Sequence, residues 1–209
     1  KLNLLPVDER LRAIQKAGNN TFLLENKDIY IDMLTDSGVN AMSDRQTAAM
    51  HLADDSYAGS QTFARLKAAL KEVFGTDNVL PAHQGRACEN ILAERFVKPG
   101  MVAIMNFHFT TTKAHVTRCG GEVVEVLHKK GLIPQSDDPF KGDMDLQELR
   151  RVIEQYTPEK VAYVRVEAGT NLIGGQPVSL ENMLAVADIC HEYGVPSVLD
   201  ASLLQDNIY

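Results

Sequence analysis

The sequence predicts an α/β protein built on a doubly wound, mostly parallel sheet. Stretches with helical periodicity alternate with short apolar runs, the order expected when crossover helices connect parallel strands. Several of those runs are continuously apolar, as strands covered on both faces should be. A length of 209 residues, 44% hydrophobic and 23% charged, supplies ample apolar surface for one large core.

The elements follow in order. The first 43 residues lack the regular alternation, with a helical pattern at 7–17 and a strand expected at 29–33, and read as an arm or part of a small domain. Residues 44–209 read as a large domain. It opens with helical patterns at 44–53 and 60–74, a strand expected at 78–81 and a helix at 85–97. A strand at 101–106, a helix at 111–119 and a strand at 122–127 come next. Between Lys129 and Asp145 the chain is polar and holds Pro134, Asp137, Asp138, Pro139 and Gly142, the composition of a surface excursion. A helix at 145–156 and a strand at 161–166 precede a helix at 179–194 that aligns Met183, Val186, Ile189 and Cys190 on one face. Gly194-Val195-Pro196 stops that helix, and a run at 196–200 delivers Asp200 at its end.

Composition excludes several classes. The formal net charge is −7 with both signs interspersed, so no basic stripe points to nucleic acid or an anionic membrane. Cys88, Cys119 and Cys190 are widely spaced and odd in number. They read as core thiols in a reducing, cytoplasmic compartment rather than a disulfide framework or metal site. No apolar run reaches the roughly 18 residues of a membrane span, and with Lys1 first no signal peptide is visible.

In an open parallel sheet ligands bind beyond the C-terminal strand ends, so four segments are candidates. Ala82-His83-Gln84-Gly85-Arg86 opens a helix; free amides, the helix dipole and a guanidinium make it a phosphate cradle. The plainer alternative is a helix start with a solvated arginine. Phe107-His108-Phe109 followed by Thr110-Thr111-Thr112 offers an aromatic to stack on a planar ligand and hydroxyls to bond it. Its alternative is two core phenylalanines and a threonine N-cap, and His108, with no visible partner, reads as structural. Asn171 lies in a Gly/Pro-rich reversal that turn chemistry also explains. Asp200 ends a run as apolar as Val-Pro-Ser-Val-Leu, so it needs a protonated heteroaromatic nitrogen, a metal or a capping role to offset desolvation.

Cradle, aromatic, amide and strand-end carboxylate are the parts that hold pyridoxal phosphate in a doubly wound domain. The chain resembles the tyrosine phenol-lyase and tryptophan indole-lyase family, β-eliminating lyases of fold-type I. The resemblance rests on Phe22-Leu23-Leu24, Ile31-Asp32-Met33-Leu34-Thr35-Asp36-Ser37-Gly38, Tyr57-Ala58-Gly59-Ser60, His83-Gln84-Gly85-Arg86 and Phe109-Thr110-Thr111-Thr112, in family order. Pro139-Phe140-Lys141-Gly142-Asp143, Gly174-Gly175-Gln176-Pro177-Val178-Ser179 and Asp200-Ala201 continue it. Phe109 to Thr112 and Asn40-Ala41-Met42-Ser43-Asp44 lean toward the tyrosine-cleaving branch.

The resemblance implies a pyridoxal 5'-phosphate cofactor. Gln84, Gly85 and Arg86 would lie at its phosphate, Phe109 on its ring, Asn171 at its phenolic oxygen and Asp200 at its ring nitrogen. Thr35 and Ser37 would approach the substrate carboxylate, Thr110 would position the substrate ring, and Tyr57, across a subunit interface, would protonate the leaving group. Gly38 and Asp55 match the positions that hold a potassium-type monovalent cation, with Asp55 where the family usually has Glu. The implied assembly is a homo-oligomer, at least a dimer and by family likeness a homotetramer. The implied reaction is aromatic amino-acid catabolism, tyrosine to phenol, pyruvate and ammonia.

Two departures qualify this. Leu203 stands where the family has an arginine beside the phenolic oxygen, which opens tryptophan or a cysteine conjugate as substrates. No lysine follows Lys160, so the Schiff-base lysine is expected in a downstream segment, and the large domain is expected to be incomplete. A non-catalytic scaffold that keeps the fold is the remaining alternative.

Overall fold

The structure is a computed structural model that describes residues 4–32, 34 and 43–208. The chain divides into two compact units, Lys1–Val79 and Leu80–Tyr209. In the first, α1 (Val7–Lys16) carries Asp8 and Glu9 in its first turn and Lys16 in its last, complementing its dipole. In α2 (Asp44–His51), Ser43 and Gln46 form a reciprocal capping box, and Ser60 caps α3 (Gln61–Phe74). Asp54 accepts bonds from the Gln61 and Thr62 amides and the Ser60 hydroxyl, clamping the start of α3; those donors hold its carboxyl well below the ordinary range. Among the described residues of this unit only Ala17 is buried.

The second unit is a sheet with helices on both faces. Its elements are α4 (Gly85–Phe96), β1 (Val102–Met105), α5 (Thr110–Arg118), β2 (Glu122–Glu125), α6 (Leu146–Tyr156), β3 (Val161–Glu167), α7 (Leu180–Tyr193), β4 (Ser197–Asp200) and the short α8 (Leu204–Asn207). The strands run in the order β2-β1-β3-β4, all parallel. Val102, Ile104, Val164 and Val166 pack with Leu149, Val152 and Ile153 of α6 and Val186 and Ile189 of α7 on one face. Ala103, Met105 and Tyr163 pack with Ala93 of α4 and Val116 of α5 on the other. β1 and β3 are buried throughout, which explains the unbroken apolar run of β1 and the apolar run of β3 up to Val164.

All seven expected helices are present within two residues of their expected ends, because their caps and stops are local: Asp145 accepts from the Gln147 and Glu148 amides, and Gly194 ends α7 at φ 65°. Two expected strands are absent. Residues 78–81 form no ladder: Pro81 has no N–H to give one, and Leu80 is exposed rather than buried on a sheet. The run at 29–33 is irregular over its described residues 29–32, which pair with no strand among the described residues. The core-thiol reading holds for Cys190 alone; Cys119 is half-buried and Cys88 faces solvent on α4.

The excursion between β2 and α6 is tied down at its end. Leu127 bridges Met144, the Asn182 side chain bonds both the N–H and C=O of Met144, and Asp143 accepts from the Ser179 amide and hydroxyl. Gly142 lies against the reversal after β3: a Cβ there would stand 2.6 Å from Thr170 Oγ1 and 2.7 Å from the Gln176 carbonyl. Gly142→Ala should therefore lower stability by about 1–3 kcal/mol, read as a reduced urea midpoint; an unchanged midpoint would show that this approach is looser than described.

Candidate functional site

Parallel strands bring their C-terminal ends to one edge, and the short connection from α4 to β1 places the N-terminus of α4 at that same edge. Gly85 opens α4 with Gln84 at the N-cap position, no side chain caps its first amides, and a Cβ on Gly85 would meet nothing within 4 Å. Exposed backbone donors and the guanidinium of Arg86 thus face an open approach, an arrangement that accepts an anion.

Phe109 is half-buried and occupies the N-cap position of α5, while Thr110 is exposed at its first turn. The expected threonine cap is absent: Thr111 and Thr112 instead give their hydroxyl hydrogens to the Glu89 carboxylate of α4. That carboxylate thereby ties the N-terminal half of α4 to the first turn of α5. Phe107 stacks on His108 at 5.1 Å between ring centroids. His108 is not the lone histidine of the sequence reading, because its Nδ1 contacts the Glu125 carboxylate at the end of β2.

Behind β1 sits Asn106, fully buried. Its Nδ2 donates to the carbonyls of Gly142 at 3.0 Å and Glu167 at 3.1 Å and to Thr170 Oγ1 at 3.1 Å, and its Oδ1 accepts from the Glu167 amide at 3.0 Å. One side chain thus locks the ends of β1 and β3 and the excursion to each other. After β3 the chain enters a 3₁₀ turn, Asn171–Ile173, and reverses through Gly174 and Gly175 so that Thr170 bridges Gln176.

Asp200 ends β4 half-buried, and its partner is internal. Arg165 Nη2 lies 2.5 Å from Asp200 Oδ2, and Arg165 Nη1 lies 3.4 Å from Glu167 Oε2. The Ser202 amide donates to Asp200 Oδ1 at 2.9 Å. Burial pushes the Asp200 carboxyl upward, but the Arg165 charge and the Ser202 donors outweigh it and leave the group below its ordinary range. For Glu167 burial prevails over the attraction of Arg165, and the carboxyl is raised. The sequence reading missed Arg165 and Glu167; the signal was two charges inside Val-Ala-Tyr-Val-Arg-Val-Glu, a run otherwise fit for burial. Leu203 packs its Cβ against Gly169, where a Cβ would stand 2.7 Å away.

The remaining expected residues fall elsewhere. Thr35, Ser37 and Gly38 lie outside the described residues. Tyr57 and Asp55 belong to the first unit and are exposed. Among the described residues no cluster of three or more His, Cys, Asp or Glu side chains forms a metal site, and no helix is long and apolar enough to cross a membrane.

The β-eliminating lyase family model matches residues 32–208. A tyrosine phenol-lyase of Nostoc punctiforme is 44% identical over 201 residues, covering 96% of this chain and 43% of the relative. That of Clostridium tetani is 42% identical over 208 residues, covering 100% of this chain and 45% of the relative. The chain thus spans less than half the length of these relatives. Among solved structures, an N-succinyldiaminopimelate aminotransferase of Mycobacterium tuberculosis superposes with TM-score 0.56 at 20% identity, over 74% of this chain and 40% of that one. A pyridoxal-phosphate-bound C-S lyase of Staphylococcus hominis does so at 0.52 and 15%, over 75% and 39%. The fold is the one these enzymes share.

The opposite shifts of Glu167 and Asp200 predict opposite pH effects. Asp200, lowered on folding, adds stability above the unfolded carboxyl range and loses it in acid, whereas Glu167, raised on folding, favours the native state in acid and costs stability as pH rises through its folded value. The thermal midpoint of Glu167→Gln should therefore gain on wild type as pH rises from the ordinary carboxyl range toward neutrality. A constant or shrinking difference would mean that Arg165 outweighs burial.

Proposed function

The chain belongs to the β-eliminating lyase family, and from that premise we propose that it forms the first part of a pyridoxal-phosphate-dependent lyase that releases an aromatic group from Cβ of an amino acid, tyrosine first. The observation that carries this reading is the convergence of the uncapped α4 amides, Phe109 and Asp200 at one edge of a parallel sheet. The donor set suits the cofactor. Gly85 leaves open space for a phosphate beside the first amides of α4 and Arg86, Phe109 offers a half-buried ring, and Asp200 offers a carboxylate held ionised by its neighbours.

When bound, pyridoxal phosphate supplies an electron sink for the charge released at Cα. The chain's own residues bind and orient it. Gln84, Gly85 and Arg86 take the phosphate, Phe109 covers the ring, Asn171 meets the phenolic oxygen, and Asp200 holds a proton at the ring nitrogen. Thr35 and Ser37 receive the substrate carboxylate, and Thr110 aligns its ring. Tyr57, reaching a neighbouring subunit's site in at least a dimer, gives a proton to the departing ring carbon; its full exposure leaves it available for that role. Gly38 and Asp55 take a monovalent cation. Residues 1–43 serve as arm and small-domain segment, 44–209 as the first part of the cofactor domain, and the Schiff-base lysine lies downstream in the full-length, cytoplasmic, tetrameric protein.

A second reading keeps fold and cofactor and changes the substrate to tryptophan or a cysteine conjugate. Leu203 favours it, since an apolar side chain packed on Gly169 replaces the cation that the family resemblance puts near the phenolic oxygen.

In full-length protein, Arg86→Ala should weaken pyridoxal phosphate binding about 10- to 100-fold, the worth of a charge-assisted hydrogen bond. Pyruvate release from tyrosine, tryptophan and S-alkylcysteine should be greatest with tyrosine. Release from S-alkylcysteine alone would favour the second reading, and no bound cofactor would overturn both.

A further inference from the structure

β3 places Tyr163, Arg165 and Glu167 on the sheet face covered by α4 and α5, and the register sets Glu167 beside Asp200 and Arg165 beside Val198. Two carboxylates side by side on neighbouring strands repel. Arg165 relieves them by reaching both, with 4% of its side chain exposed against 7% for Glu167 and 16% for Asp200. Glu89 of α4 and Cys119, just after α5, are the other titratable groups of this face that act on Tyr163. The guanidinium is therefore part of the floor on which Asp200 stands. An ionised carboxylate has about four acceptor positions; Arg165 and the amide and hydroxyl of Ser202 take three, so a ring N–H still has a place.

We propose that Arg165 is a positioning residue that competes with the ring nitrogen of bound pyridoxal phosphate for Asp200, so that this nitrogen holds its proton less tightly than an Asp200 without Arg165 would make it. The inference rests on the reading that the cofactor sits at this edge. Its physical basis is charge: a pyridinium bonded to Asp200 lies within a few ångströms of a buried guanidinium, and like charges at that distance disfavour the second protonation. The Asp200 carboxylate, already satisfied by a permanent cation, gives up less by losing the ring proton. The electron sink is weakened accordingly.

The test uses full-length protein loaded with cofactor isotopically labelled at the ring nitrogen, whose NMR shift reports protonation directly. Binding is measured separately by retention on a desalting column. The apparent ring-nitrogen pKa in wild type should lie about 1–3 units below that in Arg165→Met, the range for a charge at contact distance. Arg165→Lys should keep the low value. Because Arg165→Met leaves Glu167 buried without its cation, the double variant with Glu167→Gln is measured as well and should match the higher value. Equal ring-nitrogen pKa in wild type and the double variant, with cofactor bound, would overturn the proposal and leave the cofactor reading standing. A high value in Arg165→Lys would overturn it too, by reducing the effect to side-chain shape. Failure of every form to retain cofactor would overturn the underlying reading and the proposal together.

Discussion

The ion pair between Arg165 and Asp200 is the constraint around which the candidate site is arranged. Neither charge tolerates burial alone, since an isolated ion in a protein interior loses several kcal/mol of hydration. Their pairing, with Glu167 on the second arm of the guanidinium, lets the neighbouring strands β3 and β4 end in charged residues withdrawn from solvent. Asn106 performs the matching task for the backbone. It satisfies the Glu167 amide and carbonyl and the Gly142 carbonyl, so the backbone at the ends of β1 and β3 is fully paired where it is buried.

Function follows from how differently the two sides of this edge are finished. On the inner side every described buried side-chain polar atom has a partner. On the outer side the first turn of α4 keeps its amides uncapped and Gly85 keeps its surroundings empty. Free donors at a helix start attract an anion, and the proposed phosphate site rests on that contrast. The Glu89 carboxylate, by holding Thr111 and Thr112, ties α4 to the first turn of α5 beside Phe109.

Much of this was legible in the residues. Helix ends were readable because caps and stops are local: Asp145, Ser179 and Gly194 act within one turn of themselves. The strands of the core were readable because burial on both faces writes itself as a continuous apolar run. Residues 78–81 were misread for the converse reason, since a strand exists only with a partner and nothing in four residues announces one. The Arg165 cluster was hidden by the same dependence on register: Arg165 and Asp200 are 35 residues apart, and only the parallel pairing of β3 with β4 reveals that they share a face. His108 was set aside for want of a carboxylate that the adjacent strand supplies in Glu125.

The central claim is that the C-terminal edge of this sheet binds pyridoxal phosphate on the α4 amides with Asp200 shared between the cofactor and Arg165. A crystal structure of the full-length protein grown with pyridoxal phosphate tests it most directly. The account predicts the phosphate at the amides of Gly85 and Arg86, the ring against Phe109, and Asp200 bonded at once to the ring nitrogen and to Arg165. A phosphate bound away from α4, or an Asp200 turned from the cofactor toward Arg165 alone, would contradict it.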